Sequence, residues 1–148
     1  APGLLRYAHA RAESLGAAVH FHQRDGSETK FPEDTFDLVV SHNVMHEMPQ
    51  KTTENMFKES FRILKPGGIA VHQDLRLRFN DFPLFDQFDF RWDQLNNNEP
   101  YLVTYATNDP DDLFRKAGFP EENIWSGLID QPDGTMKWFL SVAQKPAA

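Results

Sequence analysis

Five polar side chains of types used in catalysis and metal binding lie within one short stretch. They are Ser41, His42, Asn43, His46 and Glu47. On a helix, the two histidines four residues apart would share a face and could bind a metal together with Glu47. A helical zinc protease motif, however, has its glutamate directly after the first histidine, and that position holds Asn43. We therefore expect no metal here, and a pocket lining or a helix start remains open.

Composition narrows the class of protein to which these residues belong. The chain has 148 residues, 40% of them hydrophobic, and a formal net charge of −7. These values predict a single globular domain over residues 1–148, and the acidic balance argues against a nucleic-acid partner. The chain has no cysteine, no apolar run near the ~20 residues needed to span a bilayer and no signal-peptide pattern at its start. We expect a cytoplasmic protein with no membrane partner.

Helices and strands alternate along the predicted chain. The predicted elements are a helix at 3–15, a strand "VHFHQRD" at 19–25, a strand "FDLVVS" at 36–41, a helix at 51–64, a strand "IAVHQDL" at 69–75, a helix running from an Asp109 cap to Gly118, and two strands joined by a turn at 131–134. The near-continuous apolar run at 36–41 is typical of a parallel strand buried on both faces. The alternation predicts an α/β fold with mostly parallel strands and a C-terminal antiparallel hairpin.

Three segments carry a resemblance to a known family. "FPEDTFDLVVSHNVMHEMP" at 31–49, "FRILKPGGIAVHQDL" at 61–75 and "LFRKAGF" at 113–119 resemble the second half of a class I S-adenosylmethionine-dependent methyltransferase. The resemblance implies a Rossmann-like sheet, S-adenosylmethionine as cofactor and methyl transfer to a small-molecule acceptor. It covers nearly the whole chain.

The chain departs from the family at its beginning. The family's glycine-rich cofactor loop and first two strands would precede residue 1, and no Gly-x-Gly signature occurs. We therefore expect a truncated domain with an incomplete sheet. The strand at 36–41 would present an unpaired apolar edge, and such an edge recruits another strand. Either the strand at 19–25 moves in beside it, or two chains pair or swap elements as a homodimer. The alternative function is a non-catalytic, self-associating fragment.

The resemblance also assigns roles at the carboxyl ends of the strands, where ligands bind in such folds. Asp25 would accept a hydrogen bond from the adenine amino group, and Gly26 would let the ring approach the backbone. Ser41, His42 and Asn43 would line the cofactor pocket. Without the resemblance, Asp25-Gly26 is an ordinary turn pair and Ser41 a helix cap.

The acceptor side is predicted from His46 and Asp74, near the strand ends, and from the segment 78–105, where this family inserts substrate-recognition elements. His46 is either a general base near the acceptor or a packing residue below the pocket. The phenylalanines of the segment are expected mostly to pack, and the Asn/Glu group stays open. The candidate substrate residues are Asp74, Trp92, Asn96, Asn97 and Glu99.

Overall fold

A computed structural model of the protein describes residues 2–130 and 137–147. The helices are α1 (Pro2–Ser14), α2 (Gln50–Ile63), α3 (Leu84–Asn96), α4 (Leu102–Ala106) and α5 (Pro110–Ala117). The strands are β1 (Phe36–His42), β2 (Leu64–Asp74), β3 (Ile124–Asp130) and β4 (Lys137–Gln144). Short 3₁₀ turns cover Met45–Glu47, Phe79–Asp81 and Glu121–Asn123. The turn predicted at 131–134 lies outside the described residues.

The four described strands form one sheet in the order β1-β2-β4-β3. β1 and β2 are parallel, with Val40 opposite Val71. β4 runs antiparallel to both of its neighbours, β2 and β3. Three of these strands therefore point the same way and the fourth is reversed. The predicted α/β class and the antiparallel pairing of the last two strands are confirmed.

The helices α2 and α5 pack together and contact the central strands of the sheet. Phe57 of α2, Phe114 of α5 and Phe139 of β4 are buried in the main hydrophobic core. The α5 helix begins as predicted, because the side chain of Asp109 accepts a hydrogen bond from the Asp111 N–H and so caps an otherwise unpaired donor. The predicted helices at 51–64 and after Asp109 are both confirmed.

The predicted strand at 19–25 is wrong. This segment has no regular structure, and Asp25 makes only an isolated bridge with Glu28. A strand needs a paired neighbour, and among the described residues β1 pairs with β2 alone. The expected move of 19–25 to the side of β1 is therefore also wrong. The chain that follows is instead held to α2, where Glu59 accepts hydrogen bonds from the N–H and hydroxyl of Thr29.

The segment 78–105 contains α3, α4 and a small second core. Phe79 and Phe82 are buried there with Ala106. Phe85 and Phe88, in contrast, lie on α3 with 73% and 63% of their surface exposed. The expectation that the phenylalanines pack is thus right for the first pair and wrong for the second. None of the described helices is long and apolar enough to cross a membrane.

Candidate functional site

The carboxylate of Asp74 organises the carboxyl end of β2. It is 2% exposed. Its Oδ2 accepts hydrogen bonds from the backbone N–H groups of Val44 at 3.0 Å and Met45 at 2.8 Å. Its Oδ1 accepts from the Leu75 N–H at 2.7 Å and lies 2.6 Å from Nδ1 of His46. Since β1 and β2 are parallel, the turn after β1 and the end of β2 meet at one sheet edge, where this carboxylate joins them.

His46 is oriented by this carboxylate. The ring belongs to the 3₁₀ turn after β1 and is buried. Because Asp74 accepts at Nδ1, the neutral ring carries its proton there and leaves Nε2 as a proton acceptor. The hydrogen bond to Asp74 raises the pKa of His46; burial opposes this, and the charges of Asp74, Glu47 and Glu99 add to it. Burial alone would raise the pKa of Asp74, but hydrogen bonds from His46 and two backbone N–H groups lower it.

Two further carboxylates face the same histidine. Oε1 of Glu47 lies 3.6 Å from Nε2 of His46. The ring of His46 and the carboxylates of Glu47 and Glu99 each offer one atom, and these three atoms lie within 4.8 Å of one another. Oε2 of Glu99 is shielded from solvent and has no hydrogen-bond partner in the part of the chain that the structure describes. The arrangement can therefore accept several hydrogen bonds from one ligand, or bind a cation.

The sequence singled out no role for Tyr105, which the structure places beside this site. Its ring centroid lies 6.3 Å from that of His46. Burial, followed by the negative charge of Asp74, raises the pKa of Tyr105 well above its ordinary value. The side chain therefore stays neutral. A tyrosine in a five-residue helix gives no signal of this proximity in the sequence.

Asp25 and Gly26 line a cavity of about 570 Å³ together with Phe31 and Phe36. Oδ1 of Asp25 accepts hydrogen bonds from the hydroxyl and N–H of Ser27, which lower the pKa of the carboxyl. The cavity is within the size range of small-molecule sites. It offers two aromatic faces and a carboxylate.

Residues 41–43 lie apart from that cavity, and their side chains have other neighbours. Ser41 Oγ is 2.8 Å from Nδ1 of the buried His72. The His42 ring packs edge-on against Trp138. Asn43 has φ of +51° and donates its N–H to the carbonyl of Gln73 at 2.8 Å. His42 is thus the last residue of a strand, so it does not share a helical face with His46.

Of the candidate substrate residues, Asp74 and Glu99 lie beside His46. The other three, Trp92, Asn96 and Asn97, make their hydrogen bonds within or at the end of α3. Trp92 lies on α3, and its carbonyl accepts a hydrogen bond from the side chain of Asn96. The side chain of Asn97 donates to Asp93. The side-chain amides of Asn96 and Asn97 therefore make hydrogen bonds at the C-terminal end of α3.

Comparison with known proteins fits this architecture. Residues 1–68 match the family profile of a methyltransferase domain. An arsenite methyltransferase of Aquipseudomonas alcaligenes is 28% identical over 76% of this chain and 30% of its own length. An S-adenosylmethionine-dependent methyltransferase of Methanosarcina mazei superposes with a TM-score of 0.64 at 18% identity, over 97% of this chain and 78% of that one. A Haemonchus contortus phosphoethanolamine N-methyltransferase in complex with S-adenosylhomocysteine gives 0.58 at 18% identity, over 82% and 36%.

The strand order, the reversed last strand and these matches define a Rossmann-like methyltransferase fold. The chain has the fold of the class I S-adenosylmethionine-dependent methyltransferases, and its residues 1–68 match the methyltransferase-domain profile. S-adenosylmethionine is the methyl donor of this family. The chain spans 46% of the length of an uncharacterized Haemophilus influenzae relative and 30% of the arsenite methyltransferase.

Proposed function

We propose that the protein transfers a methyl group from S-adenosylmethionine to a small-molecule acceptor held beside His46. The observation that carries this proposal is the buried pair of His46 and Asp74 at the carboxyl end of β2, with their ring nitrogen and carboxylate oxygen 2.6 Å apart. A methyl acceptor that attacks as a nucleophile must often lose a proton. A histidine whose other nitrogen is fixed by a carboxylate is suited to take it.

The residues available for the cofactor are consistent with this activity. When bound, S-adenosylmethionine supplies a methyl group activated by a sulfonium sulfur. We assign the adenine ring to the cavity beside Asp25 and Gly26, because the rings of Phe31 and Phe36 offer stacking faces and a carboxylate can accept from an amino group. We assign the backbone of residues 41–43, at the end of β1, to the side of the cofactor nearest the acceptor.

The proposed acceptor side consists of the Asp74–His46 pair and the carboxylate of Glu99. Asp74 holds the ring, and Nε2 takes the proton from the acceptor. Trp92, Asn96 and Asn97 remain candidates for contact with the distal part of the acceptor, since they lie on α3 and at its end, close in sequence to Glu99.

Transfer of tritium-labelled methyl groups to a panel of small amines, phenols and carboxylic acids tests the activity. We expect incorporation by the wild-type protein. H46Q should lower kcat by about 10²- to 10⁴-fold, which is the usual size of a lost general base. H9Q is the matched control, because His9 lies exposed on α1. No incorporation with any acceptor class, or equal rates for H46Q and H9Q, would refute the proposal.

The exposed apolar face of β1, an outer strand of the described sheet, favours a second candidate, association of two copies. Leu38 and Val40 lie on one face of this edge strand and are 55% and 59% exposed. Parallel strands are ordinarily covered on both faces. Analytical ultracentrifugation should detect a dimer that the V40K variant weakens. A monomer at high protein concentration would exclude this candidate.

A further inference from the structure

We propose that the methyl acceptor is an amine, which enters as a primary ammonium group and donates its N–H groups to His46, Glu47 and Glu99. The ammonium site itself depends only on these three side chains. Its use as the site of methylation rests on the proposed function.

The charge around the site favours a cation. Asp74, Glu47 and Glu99 are three carboxylates around one imidazole. Within residues 2–130 and 137–147, no lysine or arginine makes a salt bridge with any of the three. Even with His46 protonated, the group keeps a net negative charge. A carboxylic acid or phosphate ligand would be repelled here, whereas an ammonium group would be attracted.

Two acceptor atoms in the site have no hydrogen-bond donor among the described residues. The His46 side chain is 8% exposed. Its Nε2 makes no hydrogen bond with the described residues and has Oε1 of Glu47 3.6 Å away as its nearest charged partner. Oε2 of Glu99 is shielded from solvent and likewise unpaired within that part of the chain. A buried acceptor without a donor is destabilising, so a ligand that donates an N–H group to Glu99 recovers free energy that an apolar ligand would not.

The acceptors are close enough to share one donor nitrogen. Three N–H groups on one nitrogen, each with an N···acceptor distance near 2.9 Å, place their acceptors about 4.7 Å apart. One ligand atom from each of His46, Glu47 and Glu99 lies within 4.8 Å of the other two. Oε1 of Glu47 is only 3.6 Å from Nε2 of His46, and this side chain is 57% exposed, so it can move outward by about 1 Å to receive an ammonium group. A metal ion would use the same three side chains, and competition with Mn²⁺ distinguishes the two ligands.

The same arrangement accounts for the proton that an ammonium group must lose. One N–H proton moves to Nε2 of His46, which leaves a neutral amine and an imidazolium that Asp74 stabilises. The nitrogen lone pair then forms a bond to the methyl carbon, and the carbon–sulfur bond breaks with its electron pair remaining on sulfur. The products are the N-methylammonium ion and S-adenosylhomocysteine, and the proton on the imidazolium passes to solvent.

Binding of n-butylammonium to the full chain, followed by the NMR signals of the His46 ring without any methyl donor, tests the site. We expect a saturable shift with n-butylammonium and none with 1-butanol at equal concentration. Tetramethylammonium, which has the charge but no N–H group, should bind much more weakly. E99Q should raise the Kd by about tenfold or more, because it removes a charged acceptor. E122Q removes an exposed acid instead and should leave the Kd unchanged.

Several outcomes would overturn the site. These are equal shifts with 1-butanol, equal Kd values for E99Q and E122Q, or Glu99-dependent broadening of the His46 signals by Mn²⁺ that n-butylammonium does not relieve. If E99Q does not fold, E47Q provides the same comparison at a more exposed position. n-Butylammonium binding without methyl transfer to any amine would remove the proposed function and leave the site. Methyl transfer to hydroxyl acceptors without n-butylammonium binding would support the proposed function and exclude the ammonium site.

Discussion

Replacing Asp74 by asparagine should destabilise the protein and lower the pKa of His46. The carboxylate accepts hydrogen bonds from three backbone N–H groups, those of Val44, Met45 and Leu75, and from the ring of His46. D74N keeps the shape of the side chain but turns one acceptor oxygen into an NH₂ donor. Some of these buried donors must then face another donor.

The size of the effect follows from the two orientations of the amide. If the NH₂ group replaces Oδ2, the N–H groups of Val44 and Met45 both lose their acceptor. If it replaces Oδ1, the N–H of Leu75 loses its acceptor, while His46 can adapt by moving its proton to Nε2. An orphaned buried donor costs about 1–3 kcal/mol, and the remaining bonds lose their charge-assisted character. We therefore expect a loss of about 3 kcal/mol in the free energy of unfolding.

Urea unfolding at pH 7 measures this loss, and NMR titration of the His46 ring measures its pKa. D37N is the matched control, because Asp37 is 85% exposed and pairs with Lys65 at the surface. A surface pair contributes at most about 1 kcal/mol. Equal losses for D74N and D37N, or an unchanged pKa of His46 in D74N, would refute the role assigned to Asp74.

Two further predictions concern the stability of the fold. Burial lowers the pKa of His72 to about 4, so its neutral form stabilises the fold above the ordinary pKa near 6.5, and this contribution is lost as the pH falls to 4. Between pH 7 and 4, wild-type protein should lose about 3 kcal/mol more than H72Q in urea unfolding, and parallel pH curves would contradict the cause. G118A should cost about 1–3 kcal/mol, since Gly118 has φ of +112° and a Cβ there would lie 3.3 Å from the Phe61 ring. G3A, with open space around it, should not destabilise, and similar urea midpoints for the two variants would be evidence against this account.

The elements predicted correctly are those whose signal is local. The helical spacing of Phe57 and Phe61 and the cap at Asp109 depend on residues within a few turns of one another. The segment at 19–25 failed because its alternation of apolar residues and histidines describes a strand only when a neighbouring strand pairs with it. Among the described residues, β1 pairs only with β2 and not with the segment at 19–25.

The sequence named the members of the candidate site but not the geometry that brings them together. The resemblance pointed to His46, Asp74 and Glu99 separately. Their meeting depends on the parallel register of β1 and β2, which places Ser41 opposite His72, and on the path of the chain beyond α3. Neither the strand register nor the path of the chain follows from the spacing of residues close together in sequence. The helical arrangement in which His42 and His46 would share a face does not form for the same reason, because the chain leaves β1 before any helix begins.

Calorimetric titration of S-adenosylhomocysteine into the 148-residue protein tests the central claim most directly, because a methyltransferase must hold its cofactor whatever the acceptor. We predict saturable binding of one molecule per chain with a Kd on the order of micromolar, equivalent to about −8 kcal/mol. A folded sample that releases no heat of binding across that range would contradict the assignment of the cofactor site to this chain.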